Sequence, residues 1–61
     1  MKEEIYEFIT KNAGKYLCHI QLTEKFKEHS LSQIHKFCAE LADQNLIYRQ
    51  KISGVWFVWV L

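Results

Sequence analysis

From Ser30 to Gln44 apolar side chains recur with a helical period, and from Leu46 onward they recur every second residue. Ile34, Phe37, Cys38 and Leu41 stand at i, i+3, i+4 and i+7, one stripe wide enough to face a core. Ser30-Leu31-Ser32-Gln33 is a capping-box pattern at its start, with Ser32 as a rival cap and Leu31 expected as a buried anchor of the preceding turn. Asn45 suits the left-handed residue that closes the helix. The change of period at that point commits the chain to a helix joined directly to a hairpin.

The hairpin has its own grammar. Ser53-Gly54 is a two-residue turn, and pairing across it sets Tyr48 opposite Trp59, Gln50 opposite Phe57 and Lys51 opposite Trp56. One face then holds Leu46, Tyr48, Phe57 and Trp59, and the other Ile47, Arg49, Lys51, Trp56, Val58 and Val60. The first face carries the largest side chains and is expected to pack on the helices. Arg49 and Lys51 are then expected to point outward. The uninterrupted run Val55 to Leu61 suits a central strand, with the charged strand as an exposed edge.

Upstream, Ile5, Phe8 and Ile9 predict a helix from Lys2 to Asn12, with Glu3 and Glu4 at its positive end and Gly14 after its stop. Tyr16-Leu17-Cys18-His19-Ile20 reads as a short strand that must join the C-terminal hairpin to be stable. Leu22 and Phe26 mark a second helix, Gln21 to Glu28, whose cap is either Thr23 or absent. The expected fold class is α+β: three helices and a small three-stranded antiparallel sheet in the order helix, strand, helix, helix, strand, strand, within a single domain, 1–61.

A chain of 61 residues buries only about 60% of the surface its unfolded form exposes, so its core must be efficient. With 49% apolar residues, no proline and two glycines, a disordered chain is excluded. A net charge of +1 gives little overall attraction to a polyanion, so any basic footprint depends on where the charges lie. Met1-Lys2-Glu3-Glu4 lacks the apolar segment of a secretory leader, and the Val55 to Leu61 run is too short for a bilayer, so a cytoplasmic location without membrane contact is expected. Cys18 and Cys38 are then expected as reduced thiols. Cys18, His19, His35 and Cys38 raise a zinc reading, but the spacing is not that of a known finger, and neither metal nor cofactor is expected. Nor is catalysis, since the sequence has no glycine-rich phosphate loop and no paired acid–base constellation.

The order of elements resembles that of winged-helix (winged helix-turn-helix) DNA-binding domains over essentially the whole chain. Leu22-Thr23-Glu24-Lys25-Phe26 is similar to their second helix. Cys38-Ala39-Glu40-Leu41-Ala42-Asp43-Gln44-Asn45-Leu46-Ile47 resembles their recognition helix, turn and entry into the wing. A weaker resemblance is to small pilus-operon transcription regulators. These likenesses imply a sequence-specific transcriptional regulator that binds double-stranded DNA with the helix 30–44 in the major groove and the hairpin 46–61 as wing.

By the same analogy Ser32, Gln33, His35, Lys36 and Ala39 would meet the groove. Gln33 suits adenine, Lys36 guanine or phosphate, and Ala39 close approach. Glu40 and Asp43 would repel phosphate and confine contact to the first half of the helix. Arg49 and Lys51, flanked by Trp56, would hold phosphates; the plainer role for such charges is protection of an edge strand. Ile47, Trp56, Val58 and Val60 form the outward apolar patch expected to meet a protein partner or a second copy in a homodimer. The alternative function is therefore a winged-helix module that binds protein.

Overall fold

The computed structural model describes residues 2–61. Three helices, α1 (Lys2–Lys11), α2 (His19–Lys25) and α3 (Leu31–Asp43), pack on a sheet of β1 (Leu17–Cys18), β2 (Tyr48–Ile52) and β3 (Val55–Trp59). The sheet order is β1-β3-β2, with both pairings antiparallel. This is the expected α+β, winged-helix-like arrangement, with β3 in the centre and β2 at an edge.

Local chemistry sets the ends of α3. The Ser30 hydroxyl accepts from the Gln33 N–H at 3.3 Å, and the Ser30 N–H donates to Gln33 Oε1 at 2.9 Å, closing the capping box. A cap of this kind contributes about 1 kcal/mol. At the other end Asn45 takes φ 62°, its N–H donating to the Ala42 carbonyl and the Leu46 N–H to the Leu41 carbonyl, both at 3.0 Å. That left-handed closure satisfies two carbonyls that the helix leaves open. The Ser53-Gly54 turn has positive φ at both residues, as a two-residue turn matched to strand twist requires. Gly14, at φ 87°, donates its N–H to the Val60 carbonyl at 2.8 Å and ties the end of α1 to the end of the central strand.

Several boundaries differ from the sequence expectation: α1 ends at Lys11 rather than Asn12, α2 ends at Lys25 rather than Glu28, and β2 starts at Tyr48 rather than Leu46. The strand expected over Tyr16 to Ile20 contracts to Leu17 and Cys18, because α2 begins at His19 instead of Gln21. The Cys18 N–H donates to Gln21 Oε1 at 3.0 Å, which satisfies an open donor at that start. The Thr23 hydroxyl, a candidate cap, instead donates back to the His19 carbonyl inside the helix. Leu31 is exposed, and the anchor of the turn before α3 is Phe26, buried edge-on against Phe8.

The core is Ile5 and Ile9 of α1, Leu17 of β1, Leu22 and Phe26, Ile34, Cys38 and Leu41 of α3, Ile47, and Val58 of β3. The sheet therefore sits the other way round from the expectation. Ile47 is 5% and Val58 0% exposed, and Val60 packs against the core, whereas Leu46 is 41% and Tyr48 53% exposed. The patch assigned to Ile47, Trp56, Val58 and Val60 is thus the inner face. Leu17 pairs with Val58 at the point where the helices converge, and short aliphatic side chains fill that narrow layer where aromatic rings would overpack it.

Ile47→Ala is expected to cost about 2–4 kcal/mol and Leu46→Ala about 1 kcal/mol or less. Urea unfolding of the two variants checks the orientation of the sheet, which a larger loss at Leu46 would refute.

Candidate nucleic-acid interface

Because Ile47 points inward, the alternation of β2 carries Arg49 and Lys51 to the same side, against the flank of α3 that bears His35. Arg49 does not reach solvent freely. Its guanidinium carbon lies 3.8 Å from the centroid of the Trp56 ring, and its Nη2 donates to His35 Nε2 at 2.8 Å. The same Nη2 approaches His35 Nδ1 at 3.3 Å, the longer and weaker contact. His35 Nδ1 in turn lies 3.2 Å from Nδ1 of His19, and the His19 ring stacks parallel to Trp56.

Arginine has no acceptor, so this chain of bonds has a direction. His35 Nε2 must carry a lone pair toward Arg49, which leaves the proton on His35 Nδ1, donating to His19 Nδ1. His19 then holds its proton on Nε2. That nitrogen is buried without a hydrogen-bond partner, as is Nε of Arg49. The cluster is thus a polar relay, Arg49 to His35 to His19, with both imidazoles neutral.

The electrostatics agree with that direction. Burial, then Arg49 and His35, lowers the His19 pKa from 6.5 to about 4. His35 is also lowered, by loss of hydration and by the cations Arg49 and Lys51. Cys38, in the core behind them, is pushed up to about 11 by burial and stays a neutral thiol.

Around this relay the expected contact residues divide into two groups. Ser32 and Lys36 are exposed on α3, and Lys51 is exposed on β2 close enough to act on His35. Gln33 is exposed, but its amide oxygen is engaged by Ser30 in the capping box, so paired reading of adenine would cost the cap. Ala39 and His35 are half-buried, His35 against the hairpin. Arg49 and Trp56, expected outward, are half-buried and turned onto each other. Glu40 is held by Lys2 at 3.7 Å, which partly offsets the acidic later turns of α3.

His19 is the residue that sequence reasoning underrated. Its neighbours read as a strand, where it would alternate sides, and only the early start of α2 turns it onto His35. Although His19 and His35 meet, Arg49 shares their site, and among the described residues no group of three or more His, Cys, Asp or Glu side chains is placed to hold a metal. No helix among them is long and apolar enough to cross a membrane. Comparison with protein-family models, with curated proteins and with solved structures finds no match to the chain.

The depressed His19 pKa gives stability a definite pH dependence. The unfolded chain takes up the proton near 6.5 and the folded chain only near about 4, so the stabilisation from a neutral His19 is complete above 6.5 and is lost as pH falls through that interval. The full loss is about 3 kcal/mol, since each pKa unit is worth about 1.4 kcal/mol. Urea midpoints at about pH 7, 5 and 4 should fall in the native protein and fall less in His19→Phe.

Proposed function

We propose that the chain is a double-stranded DNA-binding module of the transcription-regulator kind, with the first half of α3 entering the major groove and the β2–β3 hairpin lying along the flanking backbone. The observation that carries this reading is the joining of helix and hairpin into one surface by the Arg49–His35–Trp56 contact. It holds Lys51 close enough to His35 to act on it, on the same side of the molecule as the start of a helix that exposes Ser32 and Lys36. A hairpin fixed to its helix presents these cations without an ordering cost on binding. With a net charge of only +1, affinity must come from this local edge, and it must weaken steeply with salt.

A second reading is favoured by the outer face of the sheet. Tyr48 stacks on Trp59 with centroids 5.8 Å apart, and Tyr16 meets Trp59 edge-on at 4.9 Å. A groove of about 300 Å³ lies among Tyr16, Gln50, Ile52, Phe57 and Trp59. None of these residues is charged, nor are Tyr48 and Val55 beside them. The occupant this face suits is a second copy of the chain, because two uncharged faces meet across a two-fold axis without opposing like charges. A dimer would also supply the second recognition helix that two-fold DNA half-sites call for.

In gel retardation on a mixed-sequence duplex, Lys36→Ala with Lys51→Ala is expected to flatten the slope of log affinity against log salt by about 0.9 for each cation removed. A folded double variant with unchanged slope refutes the DNA reading. For the dimer, Tyr48→Asp should lower the sedimentation coefficient seen at high protein concentration, and a native protein that sediments as a strict monomer throughout overturns it.

A further inference from the structure

We propose that Arg49 is a phosphate-binding residue held in reserve, caught by the neutral His19–His35 pair and released when that pair takes up a proton. The identity of the anion rests on the DNA-binding reading. The catch itself rests on geometry alone.

The proton count of the relay shows why it is sensitive. Arg49 donates to His35 Nε2 and His35 Nδ1 stands against His19 Nδ1, at 2.8 and 3.2 Å. Two acceptor lone pairs, His35 Nε2 and His19 Nδ1, receive these two bonds, and the three side chains of the relay carry no third acceptor. An added proton must therefore occupy one of them. If it enters at His35 Nε2, an N–H points at the guanidinium. If it enters at His19 Nδ1, the bond between the rings survives only when His35 moves its own proton to Nε2, and again an N–H faces Arg49. Both routes converge on one state, an imidazole and an imidazolium sharing a proton between their Nδ1 atoms. That bond is charge-assisted and stronger than the neutral one it replaces. In that state the bond to Arg49 is lost, and a positive charge lies beside the guanidinium.

The groups facing the pair reinforce this outcome. From β2 come Arg49 and Lys51, both cations that act on the imidazoles. From β3 comes Trp56, whose ring lies against His19 and His35 as well as Arg49. From α3 comes Cys38, neutral through the range. The repulsion therefore has an available relief. His19 is 4% exposed and fixed in the core, whereas Arg49 sits on an edge strand next to the exposed Lys51 and can swing outward. His35, nearer to solvent than His19, is the entry point for the proton.

The swing would place Arg49 with Lys51 and Lys36 on the face assigned to DNA, adding one cation as the medium acidifies. Protonation of the pair adds general positive charge as well, so the contribution of Arg49 is isolated by its own variant, Arg49→Gln.

Nitrogen-15 NMR of the intact chain tests the catch without DNA. At about pH 7.5 the ring shifts should report His35 protonated on Nδ1 and His19 on Nε2. On titration to about pH 4, the Arg49 side-chain resonances should lose their Trp56 ring-current shift with the same midpoint as His35, while core amides such as those of Ile9 and Leu41 stay in place. Arg49 remaining on Trp56 while His35 titrates, or the opposite tautomers at neutral pH, overturns the proposal. Binding to a mixed-sequence duplex then tests the role of the released residue. Native protein should gain a salt slope steeper by up to about 0.9 at about pH 4, a factor of up to about 3.5 in affinity between about 50 and 200 mM salt, relative to Arg49→Gln. Release of Arg49 with no such difference overturns its phosphate role, whereas absence of duplex binding at either pH by native protein and variant alike refutes the DNA reading and with it the reserve role, leaving only the catch.

Discussion

The left-handed turn at Asn45 decides more of this molecule than any single contact in its core. By closing α3 with hydrogen bonds to Ala42 and Leu41, it sends Leu46 outward and Ile47 inward. Strand alternation then propagates that choice without further freedom, because a shift of one residue would exchange every side chain between faces. Arg49 must face α3, Tyr48 must face solvent, and through the register Val58 falls inside and Trp59 outside. Both candidate surfaces, the basic edge beside α3 and the aromatic outer sheet, follow from one backbone angle.

Within that frame the polar relay is a costly feature for so small a core. Two buried donors, His19 Nε2 and Arg49 Nε, go without partners, and each such group costs about 1–3 kcal/mol. The return is partly energetic, since a guanidinium against an indole contributes about 0.5–2 kcal/mol and the two bonds along the relay about 1 kcal/mol each. It is also geometric. An isolated two-stranded hairpin is marginal in water, and the relay links α2, α3, β2 and β3 at one point. Strain in hydrogen bonding is concentrated where helix and hairpin must hold a fixed relation, which is the relation a groove-binding surface needs.

Much of the fold was legible from the residues. The capping box at Ser30, the turn at Ser53-Gly54, the pairing of Tyr48 with Trp59 and the central place of β3 each rest on local chemistry that tertiary structure had no reason to override. The facing of the sheet is not legible from side-chain area. The better signal is shape: the aliphatic set Leu17, Ile47, Val58 and Val60 matches the aliphatic stripes of α1 (Ile5, Ile9) and α3 (Ile34, Leu41), while Gln50 and the tyrosine hydroxyls on the other face need water. The site was legible only in part. Ser32, Lys36 and Lys51 stand exposed, but the inward turn of Arg49 depends on the parity of β2, and the partnership of His19 with His35 depends on a helix start that no clear cap announces.

The distribution of charge ties these points together. The chain carries one more cation than anion, not counting histidine, and Arg49, adjacent to the basic edge, is withdrawn onto Trp56 and His35. In the proposed DNA-binding role the edge beside α3 would offer Lys36 and Lys51 to a polyanion at neutral pH and keep Arg49 in a neutral, hydrogen-bonded cage, since only the guanidinium can grip phosphate with two parallel bonds. On that proposal, a surface built this way would bind phosphate weakly when the cage is intact. Its affinity would then be governed less by how many basic residues the chain contains than by whether two imidazoles remain uncharged.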